Sequence, residues 1–304
     1  LITHAHSDHS RWGNEHYLTH NLSIPILKLR LGADISVEGI GYGEERNING
    51  VEVTFFPAGH IIGSAQIRLN YKGEVWVISG DYKLTDDLIS TVYEPVKCNH
   101  FVTESTFGLP IYNFDSFENV YADINNWWTE NKAAGFNTVL LGYALGKSQA
   151  VLNALDTSIG EVYLHGAVAN VNDAFQSIGF DFPGTRLTPV TDRKQFDGAL
   201  IMAPPSALGT PWLKKMNPYK VAMCSGWMAL RGARRRRGVD RGFVLSDHCD
   251  WNQLNDAILA TGAENIYVTH GYETAFVKWI KEHHQLNAFE VKTLFHDGET
   301  ETDL

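Results

Sequence analysis

No stretch of this 304-residue chain approaches the roughly 20 consecutive apolar residues of a membrane-spanning helix, so none of it reads as such a helix. Cysteine is scarce: Cys98, Cys224 and Cys249 are odd in number and form no CxxC pair. That composition argues against a disulfide framework and for a reducing compartment, so the expected location is cytoplasmic. Internal repeats and low-complexity segments are missing, which excludes solenoids and biased linkers. An excess of positive charge is missing too: 25 basic against 35 acidic side chains leave a net charge of −10. A nucleic-acid partner would ordinarily favour the opposite sign. The first residue is Leu1 rather than Met, and ligand-type residues begin at His4. Residues upstream of Leu1 are therefore expected, and the lack of a signal peptide says little about location.

What is present is the composition of a globular protein, 44% hydrophobic and 20% charged, at a length that favours two compact units. Short apolar runs at 51–56, 75–79, 100–103, 138–141, 161–164, 198–202, 219–223 and 265–269 read as strands, many bounded by Gly, Pro or Asn. Helical periodicity at 116–134, 148–155, 251–261 and 275–284 alternates with them, which indicates an α/β architecture. The middle has its own strand–helix rhythm, while the ligand-type residues lie outside it. Residues 109–242 are accordingly expected to form a domain inserted into a split outer domain of residues 1–108 and 243–304.

The strongest signal is His4-Ala5-His6-Ser7-Asp8-His9. At the end of a strand, alternation points His4 and His6 to one face. A turn then brings Asp8 and His9 toward the same point. Three imidazoles and one carboxylate suit borderline metals such as zinc or manganese.

This HxHxDH pattern resembles the signature of the metallo-β-lactamase superfamily. Pro57-Ala58-Gly59-His60, Ser79-Gly80-Asp81 and Thr269-His270-Gly271 resemble its later motifs, in the same order. The resemblance implies two divalent metal ions, Zn2+ or Mn2+. One would be held by His4, His6, His60 and Asp81, the other by Asp8, His9, Asp81 and His270. Two ions roughly 3.5–4 Å apart polarise a phosphoryl oxygen and lower the pKa of a shared water. Hydroxide then exists near neutral pH, and the two oxygens of Asp81 allow it to bridge.

The superfamily includes lactamases, thioesterases and nucleases. Thr103-Glu104-Ser105-Thr106, Ser246-Asp247-His248-Cys249-Asp250 and Val268-Thr269-His270-Gly271 resemble the three further motifs of the β-CASP nucleases. The resemblance implies an αβ/βα metallo-β-lactamase sandwich with an inserted α/β β-CASP domain. It also implies that His248 is a general acid oriented by Glu104. Gly226 to Arg237, followed by Arg241 to His248, looks very like the bacterial ligase-associated DNA exonucleases, also labelled mRNA 3′-end processing factors. Glu104 to Pro110 and Gly142 to Gln149 look like the same branch. The expected function is a metal-dependent DNA exonuclease in end processing, using a dimetal-bridging hydroxide, with a functional link to an ATP-dependent DNA ligase. This chain departs from the family by lacking two strands and an acidic motif ahead of HxHxDH, a loss expected to weaken metal binding. At Cys249, where the family has a small residue, a buried apolar role is expected.

Substrate contacts are expected from Arg231, Arg234, Arg235, Arg236 and Arg237, because guanidinium groups match phosphate oxygens. Gly146 and Lys147 lie in a glycine loop that is no Walker A match, since three residues rather than four separate Gly142 from Gly146. Such a loop can still present backbone N–H groups to a nucleic-acid phosphate, and plain turn geometry competes with that reading. Trp127 and Trp128 read as core. Three rivals stay open: a β-CASP ribonuclease acting on RNA 3′ ends, a non-catalytic nucleic-acid-binding scaffold, and a small-molecule hydrolase.

Overall fold

The computed structural model describes residues 1–187, 196–230, 232 and 238–291. In chain order the strands are β1 (Tyr17–His20), β2 (Val37–Ile40), β3 (Glu45–Ile48), β4 (Val51–Pro57), β5 (Ala65–Tyr71), β6 (Glu74–Ile78) and β7 (His100–Ser105). There follow β8 (Asn137–Leu141), β9 (Val162–Leu164), β10 (Thr185–Arg186), β11 (Leu200–Ala203), β12 (Tyr219–Cys224), β13 (Arg241–Phe243), β14 (Asn265–Gly271) and β15 (Asn287–Glu290). The chain is a mixed α/β protein of two compact units, Leu1–Asn113 with the chain from Asp247 on, and Phe114–Ser246. No helix among the described residues is long and apolar enough to cross a membrane.

The first unit holds a seven-stranded sheet in the order β15-β14-β7-β6-β5-β4-β3. Strands β3 to β6 form an antiparallel meander, and β6, β7, β14 and β15 run parallel. The parallel half buries Phe101, Ile266 and Val268 against Leu254, Ile258 and Phe276 of the helices Trp251–Thr261 and Glu273–Trp279. The first of these helices starts where a cap permits: the Asp250 carboxylate accepts from the Gln253 amide at 3.0 Å. Gly262, in the left-handed conformation at φ 66°, ends it.

The second unit is a six-stranded parallel sheet, β10-β9-β11-β8-β12-β13. All residues of β8 and β11 are buried, as expected of strands covered on both faces. Leu140, Leu200 and Met202 pack with Trp128 and Val168. Val139, Leu141 and Ile201 point the other way, toward Leu213 and Met228. Trp127 and Trp128 are core, and the Trp128 indole donates to the Gly198 carbonyl at 2.9 Å.

One local expectation is corrected. The residues before His4 form no named strand. They are nonetheless extended between neighbours, with the Ile2 amide donating to Leu18 O at 2.9 Å and Thr3 O accepting from the Ala65 amide at 2.8 Å. Two bonds on opposite sides orient His4 without a continuous ladder.

Candidate metal centre

Loops at the ends of strands supply the site. The turn after His6 closes on the His6 carbonyl, which accepts from the His9 amide (3.2 Å) and the Ser10 amide (3.0 Å). His60 follows Gly59, where φ is +75° and an added Cβ would lie 2.1 Å from the Lys83 carbonyl oxygen. Asp81 follows Gly80, where φ is +58° and a Cβ would lie 2.7 Å from Thr3. Only glycine fits either place, which is the physical content of the Gly-His and Gly-Asp pairs in the sequence. Lys83 ties the two loops together: its amide donates to Ala58 O at 3.0 Å, and its ammonium to Asp87 at 2.7 Å and to His60 O at 3.5 Å.

His4, His6, His60 and Asp81 converge in one fully buried group, and Asp8, His9 and Asp81 in a second, partly exposed one. Asp81 belongs to both. The spacings are those of ligands around a cation. His60 Nε2 is 3.0 Å from His6 Nδ1, and Asp81 Oδ2 is 3.5 Å from His4 Nε2, 3.3 Å from His9 Nε2 and 3.9 Å from His60 Nε2. Ligand nitrogens on a tetrahedral zinc, each about 2.0–2.1 Å from the ion, sit roughly 3.3 Å apart. His4 Nε2 and Asp8 Oδ1 are buried without a hydrogen bond, an expensive arrangement unless a cation takes their lone pairs. These residues fit a site for two metal ions.

Electrostatics agree. Burial, reinforced by neighbouring imidazoles, pushes His4 well below the ordinary histidine value and His60 down to about 3. Both are therefore neutral and able to ligate. The His60 ring is fixed in one tautomer, because Nδ1 donates to the Asp247 carbonyl at 2.7 Å and leaves Nε2 with its lone pair. Burial works against charge on His9, but Asp81, then Asp8 and Glu104, outweigh it and raise His9 to about 9. Burial also opposes charge on Asp81, yet His9 and the other imidazoles hold it well below the usual carboxylate range.

His270 is beside the cluster rather than inside it. It joins neither ligand group, and its ring stacks on that of His9 at 5.7 Å between centroids. Its backbone is left-handed, φ 57°, at a register shift where β14 pairs with β7. Such irregularities re-aim side chains.

Next to Asp81 lies the Glu104–His248 pair, which forms a further group with it, while His248 also groups with His60 and Asp247. The Nδ1–H of His248 donates to the Glu104 carboxylate, 2.9 and 2.8 Å from its two oxygens. Glu104 is itself held by the Tyr82 amide at 3.0 Å and by the Thr106 hydroxyl. The His248 and His60 rings are 4.8 Å apart. Cys249 is buried, its thiol pushed up by that burial, and its amide binds Tyr82 O at 2.8 Å, so it packs rather than ligates.

The expected substrate contacts fare differently. Arg231, Arg234, Arg235, Arg236 and Arg237 lie outside the described residues. Gly146 and Lys147 are described, and here turn geometry replaces the phosphate loop. The amide of Gly146 donates to the Gln149 side chain at 2.7 Å, that of Lys147 to Leu145 O at 3.2 Å and that of Ser148 to Tyr143 O at 3.1 Å. Lys147 is buried, with its ammonium 4.6 Å from the centre of the Tyr143 ring. The N–H groups that would cradle a phosphate are consumed within the turn.

No protein-family model matches the chain. It is similar to a protein named "Probable DNA ligase" from Opitutus terrae, 31% identical over 288 residues, 93% of this chain and 28% of that protein. Similarity to cleavage and polyadenylation specificity factor 73 of Drosophila melanogaster is 28% over 165 residues, 51% of this chain and 24% of that protein. Similarity to RNase aCSPSF2 of Saccharolobus solfataricus is 32% over 119 residues, 38% of this chain and 24% of that protein. The chain thus spans about a quarter of the length of these curated relatives. A crystal structure of a protein of unknown function from Enterococcus faecalis V583 superimposes with a TM-score of 0.66 at 12% identity, covering 96% of this chain and 78% of that one, which shows a shared fold. Fold and site together define an α/β protein whose buried His/Asp cluster fits two metal ions.

Proposed function

We propose that this chain is a metal-dependent phosphodiesterase of the metallo-β-lactamase fold and the β-CASP nuclease family. The reading is carried by one observation: Asp81 is shared between two ligand groups and also adjoins the Glu104–His248 pair. It is supported by relatives whose names denote nucleases, RNase aCSPSF2 and Endoribonuclease YSH1.

Two divalent ions, most simply Zn2+, would supply a water nucleophilic at neutral pH and positive charge for the phosphoryl oxygens. The chain's own residues do the rest. His4, His6, His60 and Asp81 would hold one ion; Asp8, His9 and Asp81, with His270 at the rim, would hold the other. Glu104 fixes the His248 ring, so that His248 can give a proton to the leaving oxygen. Geometry suits that role, because Nδ1 is committed to Glu104 while Nε2 lies 4.0 Å from Asp247 Oδ1.

DNA is the substrate we favour, with exonucleolytic action in end processing and a functional link to a DNA ligase. The support is the run of residues resembling ligase-associated exonucleases and the match over 93% of this chain to the Opitutus terrae protein. RNA is the second reading, favoured by the endoribonuclease names among the relatives. Matched DNA and RNA oligonucleotides, labelled at either end, test both with metal-loaded protein beside Asp81→Ala. Stepwise loss of DNA from one end, absent in the variant, is expected. Preferential RNA cleavage would reverse the substrate assignment, and no cleavage of either would remove the nuclease reading.

A further inference from the structure

Arg30 lies in the last turn of the helix Ile24–Leu31, far in sequence from every ligand. Its guanidinium nevertheless reaches beneath the ligand loop. Nη1 donates to the carbonyl oxygen of Ala5, the residue between His4 and His6, and to the Ser10 hydroxyl at 2.9 Å. The Ser10 hydroxyl donates in turn to the His6 carbonyl at 2.8 Å, the same oxygen on which the His9 and Ser10 amides close the turn. One cation therefore grips the loop on both sides of His6. The negative charge of Asp8 acts on it as well.

This placement is costly. Arg30 is half-buried, and its Nε has no hydrogen bond among the described residues. A partly desolvated guanidinium with an unmet donor would be replaced to advantage by an apolar side chain if stability were its only purpose. What an apolar side chain cannot do is hold Ala5 O and Ser10 Oγ at a fixed separation. Four ligands, His4, His6, Asp8 and His9, hang from the backbone those two contacts fix.

We propose that Arg30 is a positioning residue for the metal-ligand loop, acting through Ala5 and Ser10 to preset His4, His6, Asp8 and His9 for two cations. The proposal rests on the two-metal reading above. Supporting groups of this kind are worth roughly 10–100-fold in metal affinity.

The test is Zn2+ affinity measured by competition with a chromophoric chelator, beside the melting temperature of each metal-free protein. Wild type, Arg30→Met and Ser10→Ala are compared. Arg30→Met is expected to weaken Zn2+ binding roughly 10–100-fold. Ser10→Ala, which removes only the hydroxyl linking Arg30 to His6 O, should weaken it less, with little change in the metal-free melting temperature. If Arg30→Met does not fold, Ser10→Ala decides alone. Both variants binding Zn2+ as tightly as wild type, or a Ser10→Ala protein that loses stability but not affinity, would overturn the proposal. A wild-type protein that binds no Zn2+ would instead remove the two-metal reading, and this proposal with it.

Discussion

The two halves of the candidate metal centre share Asp81 and differ in almost everything else. His4, His6 and His60 are buried, His60 follows a glycine that the backbone requires, and two of the three imidazoles are held neutral by burial. Asp8 and His9 are partly exposed, His270 is exposed on a left-handed residue, and His9 is raised to about 9 by the carboxylates around it. The contrast separates a buried half from a partly exposed one. On the proposed function, the partly exposed half is the one a phosphate would reach.

The largest expected effect erases the comparison. Asp81→Ala should lose tight binding of both ions together and abolish cleavage, as read by metal content after dialysis and by oligonucleotide assay. Next, His248→Ala should keep both ions and lower the cleavage rate by roughly 10²- to 10⁴-fold, the range for a lost general acid. Equal metal loss in that variant would mean that His248 is a ligand rather than an acid. A sharper contrast comes from His60→Ala against His270→Ala. The first should remove the slowly exchanging ion, and the second should only loosen the other, in a chelator-competition time course.

The pH dependence should separate the halves as well. With His9 raised to about 9, the metal-free protein carries a proton there at pH 6–8 that an ion must displace. Affinity at the Asp8–His9–Asp81 half should therefore rise with pH, approaching tenfold per unit for one displaced proton, up to about pH 9. His4 and His60 are already neutral in that range and add no such slope. The smallest effect lies outside the site. Burial lowers His20 to about 4, and its ring accepts from the Leu22 amide at 3.4 Å. The unfolded chain binds the extra proton first, so stability falls as pH drops from about 6.5 toward 4 and is level above. In chelator-treated protein, His20→Asn should flatten part of that fall in melting temperature.

Much of the site was legible because ligand chemistry leaves local marks. His4 through His9 form a dense pattern, and His60 and Asp81 each follow a glycine that the backbone requires. The Glu104–His248 contact was legible only through family resemblance, since 144 positions separate the partners. Arg30 left no mark: within Ile24–Leu31 it reads as an ordinary basic residue in the last turn of a helix, and its meaning comes from a tertiary approach. The bulge at His270 was equally invisible, because it depends on how β14 pairs with β7. Gly146 and Lys147 misled in the opposite direction. The glycine spacing suggested an anion cradle, but the Gln149 side chain three residues later claims the Gly146 amide. In the fold, strands with dense apolar runs such as β8 and β11 stood out in the sequence, whereas the short β1 and β3 did not, since their pairing rather than their composition makes them strands.

Strand β7 carries a consequence for the order of synthesis. It lies between β6, made just before it, and β14, made more than 150 residues later. While the ribosome produces the intervening unit, β7 waits with one open edge, the kind of edge that invites pairing with another chain. His4, His6, His60 and Asp81 have all emerged by then, but His248 has not. A nascent chain at that stage holds these four residues but lacks both His248 and Asp247, whose carbonyl fixes the His60 ring. The Glu104–His248 pair is therefore completed only as the chain that covers the open edge of β7 is being made.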